Sequence, residues 1–271
     1  MPGAANMLPS TATSLRALLP DMSDTAYFSR LCYEAVTEPP LRDGGINTYA
    51  EKRLHRVLKC YYEPDVTRHE QKVGRYFADV LRENEIVEIQ TASLHPLKTK
   101  IAYYLRETPY QITVVHPVFT KRWIRWLDPD DGSVSAPRRS PKKENAITAA
   151  ADLVYLCDHL TEPRLRFRFP LLEVEDYRLL NGRSADRKHH SSRYERFPMA
   201  LLDELTVECP AEYGKLFPAD LPQTFTGAEF MRLTRIDSRR AYAALKVFCA
   251  VGLLSTEPGE GRARLYLRCG L

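Results

Sequence analysis

Three short segments of strand-like sequence between residues 69 and 91 constrain the fold of this chain more than any other feature. A helical pattern of apolar residues precedes them from Asn47, and a second follows from Pro96. This order predicts a mixed β-sheet flanked by helices, an α/β (α+β) fold. The segments are His69–Val73, Tyr76–Leu81 and 86–91, and a further β-branched run, 111–118, follows the second helix.

Two acids in the second and third of these segments are predicted to face each other. If residues 82–85 form the loop, Leu81 pairs with Ile86, and Asp79 lies opposite Glu88. Two carboxylates directly opposite each other repel, so a cation is expected between them. Gln90 shares a face with Glu88 because side chains alternate along a strand. Such hard oxygen ligands suit Mg²⁺ or Mn²⁺ better than Zn²⁺.

These residues resemble the core of the PD-(D/E)XK nuclease superfamily over about residues 47–118. The similar features are a helix with an acid (Glu51), a strand with Asp79, and a third strand that reads Glu88-Ile89-Gln90 before a helix. The resemblance implies a restriction-endonuclease-like sheet and Mg²⁺- (or Mn²⁺-) dependent hydrolysis of phosphodiesters. It also implies that Asp79 and Glu88 are metal ligands and that Glu51 is an accessory ligand.

Gln90 departs from the superfamily pattern, which usually has lysine at this position. Glutamine cannot take up a proton, so its role is limited to orienting water or contacting phosphate. A lysine of the following helix, Lys98 or Lys100, is the alternative source of positive charge. The candidate catalytic residues are Asp79, Glu88, Gln90, Glu51 and Lys98.

The last 50 or so residues have the pattern of a winged helix-turn-helix. Thr226 is placed to cap a helix that ends near Thr234, and Asp237 or Ser238 is placed to cap a second that ends near Val251. Two strand-like runs then flank the turn sequence Pro-Gly-Glu-Gly at 258–261. Helix, helix, hairpin is the order typical of this motif.

The charge of the chain is concentrated in two regions. The net charge is only +4, but residues 121–143 contain seven Lys or Arg against three acids, and residues 221–271 contain eight against four. This distribution indicates a nucleic-acid partner, with DNA favoured. A solvated basic face and a protein-docking surface are the alternatives. The candidate nucleic-acid contacts are Ser238, Arg239, Arg240, Lys246, Arg262 and Arg264.

Composition shifts predict four parts in the chain. They are an N-terminal arm (1–45), a nuclease-like domain (46–200), a linker (201–220) and the winged helix (221–271), with an exposed polar loop expected over 181–196. The six cysteines form no C-x-x-C pair, which favours reduced thiols and a cytoplasmic protein. No apolar run approaches the ~20 residues of a membrane span, so no membrane partner is expected. A homodimer is left open.

Three functions are compatible with these patterns. The first is a metal-dependent endonuclease with a DNA-binding winged helix, and the second is a non-catalytic DNA-binding regulator that keeps the nuclease-like scaffold. The third is a protein whose winged helix docks a partner. The chain also resembles, along much of 47–271, uncharacterised bacterial proteins of the same two-part architecture, which supports the architecture and supplies no substrate.

Overall fold

A mixed sheet with helices on both faces organises most of the chain. The computed structural model describes residues 24–37, 50–182, 191–259 and 264–269, and for 50–52 only the helical backbone. The helices in these ranges are α1 Asp24–Thr37, α2 Ala50–Tyr62, α3 Leu97–Glu107, α4 Ala146–Asp152, α5 Gly227–Thr234 and α6 Ser238–Ala250, with 3₁₀ turns at Val66–Arg68, Leu153–His159 and Pro210–Leu216. The strands are β1 His69–Val73, β2 Tyr76–Leu81, β3 Glu85–Ile89, β4 Gln111–Val115, β5 Val118–Leu127, β6 Arg138–Arg139, β7 Leu165–Leu179, β8 Ser192–Val207, β9 Thr224–Thr226, β10 Leu254–Pro258 and β11 Arg264–Arg268.

Strand β7 is the centre of the main sheet, whose order is β1-β2-β3-β4-β7-β5-β6 with β8 also on β7. Strand β8 pairs antiparallel with β7 along residues 167–179. Strand β4 pairs in parallel with the start of β7 and β5 in parallel with its remainder. Because β8 occupies one edge of β7, β4 and β5 follow each other along the opposite edge. The two strands therefore form one line, interrupted at His116 and Pro117.

Apolar side chains fill both faces of the sheet. On one face, Ile101 and Tyr104 of α3 pack with the buried alanines of α4. On the other, Leu54 and Leu58 of α2 pack with Phe28 of α1, which is fully buried. The predicted mixed α+β sheet is thus confirmed. Helix α1 lies within the predicted N-terminal arm and is part of this core; the rest of the arm, 1–23 and 38–45, lies outside the described residues.

The strand predictions were accurate near the candidate site and failed at β8. Strands β1 and β2 have the predicted bounds, and Leu81 pairs with Ile86 as expected. The prediction of an exposed loop over 181–196 is wrong for 192–196, which belong to β8. Arg196 there is buried against Asp176, so ion pairing, rather than apolar alternation, carries this strand into the core. Residues 183–190 lie outside the described ranges.

The C-terminal elements have the predicted order, with β9 as an additional strand. Thr226 and Glu229 form a capping box at the start of α5, and Asp237 caps α6. Strands β10, β11 and β9 form a small separate sheet. Buried Ala241 and Ala244 of α6 belong to the same apolar core as α4, so packing continues across the boundary predicted at residue 221. None of the helices in the described ranges is long and apolar enough to cross a membrane.

Candidate active site

Asp79, in the second half of β2, is held by two contacts. Its Oδ2 accepts a hydrogen bond from the backbone N–H of Ile89 at 2.7 Å and lies 3.3 Å from Nε2 of His55 on α2. Burial opposes ionisation of this carboxyl, but the hydrogen bond and charge of His55, together with the Ile89 N–H, keep its pKa below the usual range. Asp79 is therefore a carboxylate at neutral pH.

Glu88 is the most deeply buried acid of the site. Leu81 pairs with Ile86, and Val80 with Val87. The next position along the two strands places Asp79 level with Glu88. Glu88 is 1% exposed, and its Oε2 lies 2.6 Å from Nζ of Lys100 on α3. Its Oε1 has no well-formed hydrogen bond within the described residues, although the Tyr104 hydroxyl is near enough to favour the ionised form. One buried carboxylate oxygen is thus available to a ligand.

The pKa of Glu88 is raised well above its usual value. Burial raises the pKa to about 8; Lys100 opposes this shift, and the charge of Asp79 adds to it. Because this folded-state pKa lies above the unfolded value, the proton on Glu88 stabilises the fold at low pH. That stabilisation is complete below the unfolded pKa and is lost as pH rises through about 8.

We therefore expect the metal-free protein to lose more stability between pH 6 and pH 8 than a Glu88→Gln variant, by roughly 2 kcal/mol. The amide keeps the shape of the side chain and does not titrate. Urea unfolding of both proteins at the two pH values, in the presence of EDTA, measures the difference. Parallel pH profiles for the two proteins would contradict the raised pKa.

Two predicted catalytic residues, Gln90 and Lys98, are engaged elsewhere and are not brought to Asp79 and Glu88, which we call the acid pair. The side-chain amide of Gln90 donates to the carbonyl oxygen of Ser93 at 2.7 Å. Lys98 pairs with exposed Asp158 at 2.9 Å. Successive helical positions are about 100° apart, so Lys98 and Lys100 lie on nearly opposite sides of α3. Of the two alternatives weighed from sequence, the structure places Lys100 at the pair.

Helix α2 contributes one contact that sequence reasoning missed. His55 contacts Asp79, and it lies one helical turn after Glu51 on the same face of α2. The side chain of Glu51 is not among those described, so its role as an accessory ligand stays a prediction. The i,i+4 spacing from Glu51 is a sequence signal for the position of His55 along α2, but it does not predict the contact with Asp79.

The donor set fits a hard divalent cation in its chemistry. Within the described residues no three His, Cys, Asp or Glu side chains form a metal-binding group. Mg²⁺, however, keeps several waters and is commonly held by one or two carboxylates together with substrate phosphate. The carboxylates of Asp79 and Glu88 meet that requirement. Among the described residues the pair has one imidazole beside it, that of His55, and no thiolate, which is not the ligand set typical of Zn²⁺ sites.

The predicted nucleic-acid contacts differ in how accessible they are. Ser238, Arg239 and Lys246 are exposed on α6, and Arg240 is half-buried. Arg264, at the start of β11, is also exposed, whereas Arg262 lies outside the described residues. Because α6 packs into the shared core through its alanines, only a narrow stripe of this helix remains open to a partner.

Comparisons with known proteins identify relatives without an assigned activity. A family model with the description "Domain of unknown function (DUF8091)" matches residues 52–208. An uncharacterized protein of Treponema pallidum (strain Nichols) is 29% identical over 230 residues, which cover 82% of this chain and 86% of that protein. No solved structure matches the chain.

Proposed function

Because the chain belongs to the DUF8091 family, whose description assigns no activity, we propose its function from the acid pair of the main sheet. The proposal is a metal-dependent nuclease that hydrolyses phosphodiester bonds, with Mg²⁺ or Mn²⁺ as cofactor and DNA as substrate. The winged-helix unit would serve as a DNA-binding module through the exposed residues of α6 and β11.

One observation carries the proposal. A buried acid of β3, Glu88, is brought level with an ionised acid of β2, Asp79. Lys100 of α3 lies 2.6 Å from the carboxylate of Glu88. Burying two acids side by side is costly unless a cation balances them. Without metal, a proton on Glu88 and the nearby Lys100 limit this cost, and a divalent cation would take the place of the proton.

The residues of the chain divide the work as follows. Asp79 and Glu88 would hold the cation, and His55 and the Ile89 N–H keep Asp79 ionised and oriented. When bound, Mg²⁺ would lower the pKa of the attacking water and offset negative charge on the phosphate. With a cation held by Glu88, Lys100 would be able to donate to a phosphate oxygen. Gln90 carries no charge and could not supply this positive group.

The direct test is incubation of the purified chain with labelled duplex DNA, duplex RNA and single strands in Mg²⁺, Mn²⁺ or EDTA. We expect loss of the DNA substrate with either metal and none in EDTA. Titration calorimetry with Mg²⁺ gives an independent readout of the site. A chain that takes up no metal and leaves every substrate intact would refute the proposal.

Lys100 and Lys98 provide a matched pair of variants. We expect Lys100→Met to slow cleavage by about a hundredfold, because it removes the cation beside Glu88. Lys98→Met removes the same charge from the other side of α3 and is expected to change the rate by less than about twofold. Single-turnover rates measure both effects, and thermal melts check folding. Equal rates for the two variants would remove Lys100 from the mechanism.

The second candidate is a DNA-binding protein that keeps the scaffold without cleavage. The observation that favours it is Gln90, whose amide is engaged with Ser93 instead of the acid pair. This alternative predicts DNA binding without Mg²⁺ uptake. A footprint that is lost when Arg239 and Arg240 are both replaced by Ala, with no cleavage by the parent protein, would favour it over the nuclease.

A further inference from the structure

One arginine and two tyrosines form a cluster at the turn between β1 and β2. Val73 pairs with Tyr76, so Gly74 and Arg75 alone make the turn. The backbone of Gly74 is left-handed, with a φ of 60°, and a Cβ atom there would collide with the Tyr103 hydroxyl of α3. The turn therefore needs glycine both for its backbone conformation and for the close approach of this tyrosine.

Arg75 is held against both rings and still faces solvent. Its guanidinium carbon lies 5.1 Å from the centre of the Tyr76 ring and 4.8 Å from that of Tyr103. The two rings meet edge to face at 5.3 Å. Arg75 is exposed, and no carboxylate of the described residues lies within 4.0 Å of its side-chain nitrogens. We call Arg75, Tyr76 and Tyr103 the turn cluster.

The turn cluster adjoins the acid pair on the side of the sheet that α3 covers. Tyr76 packs against the core on this side, and its ring lies 6.0 Å from the ring of Tyr104. The Tyr104 ring lies 5.9 Å from Nζ of Lys100, which contacts Glu88. Three contacts of 5.1 to 6.0 Å thus connect Arg75 with Lys100. At ~3.4 Å per nucleotide of one strand, this distance is at most about five nucleotides.

The chemistry of the turn cluster suits an unpaired nucleic-acid base. Unpaired bases stack on arginine guanidinium groups and on tyrosine rings, and a positive charge attracts the adjoining phosphates. A base inside a duplex has both faces covered by its neighbours and must leave the stack before it can contact such a surface. The turn cluster therefore distinguishes a single strand from a duplex by the uncovered faces of its bases.

The contacts within the cluster order the Arg75 side chain in advance of binding. Cation–π contacts at exposed positions contribute little to stability, so their main consequence here is a fixed orientation of the guanidinium. A long side chain that is already ordered loses less conformational freedom when it binds a ligand, which improves affinity. The Tyr103 ring is positioned in turn by its close approach to Gly74.

We propose that the turn cluster stacks an unpaired base of a DNA strand and thereby holds a single-stranded segment beside the acid pair. The preferred substrate is then single-stranded DNA or a single-stranded extension of a duplex. DNA as the source of the base rests on the proposed function, whereas the stacking itself requires neither a metal nor cleavage. The stacked base would lie within a few nucleotides of the bond that is cleaved.

The test measures the binding of a fluorescein-labelled DNA single strand of about 12 nucleotides to the full chain in EDTA. We expect Arg75→Gln to weaken binding at least tenfold, and Arg75→Lys, which keeps the charge but loses the planar group, at least fivefold. Lys72→Gln removes one exposed charge from the other face of the same hairpin and should change Kd less than threefold. The parent chain should bind a strand of abasic nucleotides at least tenfold more weakly. Thermal melts check the folding of each variant.

The outcomes separate this inference from the nuclease proposal. Undiminished binding by Arg75→Lys, equal losses in Arg75→Gln and Lys72→Gln, or equal affinity for the abasic strand would overturn the stacking site. Equal losses of Arg75→Gln on a duplex and on the single strand would also overturn it, and tighter binding of an RNA strand of the same sequence would overturn the assignment to DNA. If Arg75→Gln binds normally but Asp79→Asn stops cleavage, the inference fails alone. If Arg75→Gln loses binding while the parent cuts nothing, the nuclease proposal fails alone.

Discussion

Replacing Asp79 by Asn is expected to reduce metal-dependent cleavage by about a thousandfold or more, which corresponds to ~4 kcal/mol in the activation free energy. The amide retains an acceptor for the Ile89 N–H but loses the charge that a divalent cation requires. Folding should be affected little, by about 1 kcal/mol or less, because the shape and that hydrogen bond are kept. Catalysis and stability are therefore expected to separate.

Single-turnover cleavage in saturating Mg²⁺ measures the first quantity, and urea unfolding measures the second. Asp203→Asn makes the same chemical change at an exposed position of β8 and serves as the control. Mg²⁺ affinity from calorimetry should fall for the Asp79 variant alone. Undiminished cleavage by Asp79→Asn would show that any nuclease activity of the preparation arises elsewhere.

Replacing Arg196 by Met is expected to destabilise the fold by about 3–5 kcal/mol. The substitution leaves the Asp176 carboxylate buried, with Arg122 at 3.7 Å and the charge of Arg193 as the remaining cations described near it. A buried charge that loses its partner costs far more than the intact pair contributes, because the desolvation of the charge is then uncompensated. The contact of the guanidinium with Phe119 is lost as well.

Equilibrium unfolding in urea gives the magnitude, and two further variants interpret it. Arg125→Met breaks a more exposed pair on the other face and should cost about 1 kcal/mol. Asp176→Leu combined with Arg196→Met removes both charges and should recover a large part of the loss. If the double variant is no more stable than Arg196→Met, the cost is one of packing and not of an unpaired charge.

The parts of the fold that follow apolar periodicity could be predicted from sequence. Strand β2 alternates and helix α3 repeats in the expected way, and the turn between β2 and β3 fixed the register that brings Asp79 level with Glu88. The helices α5 and α6 were recognisable from Thr226 and Asp237 because caps are local signals.

The parts held by long-range ion pairs could not be predicted. Strand β8 reads as a polar loop because its inward residues include Arg196, and its partner Asp176 lies on another strand 20 residues earlier. Similarly, the choice between Lys98 and Lys100 depends on the rotation of α3 about its axis, which the packing of Ile101 and Tyr104 determines. The roles of Gln90 and His55 depend on contacts made after the chain has folded.

The central position of β7 also determines how the chain can fold. One edge of β4 pairs with β7, in which Leu165, the partner of Ile112, lies 53 residues later in the chain. Parallel pairing between such distant segments is slow to form. Until β7 is synthesised, the nearly fully apolar strand β4 presents an unpaired edge, the type of surface at which nascent chains aggregate. When β7 does dock, it provides the pairing edges for β4, β5 and β8. The main sheet is therefore completed late in synthesis, and a chain that ends before residue 165 would lack both its central strand and a closed core.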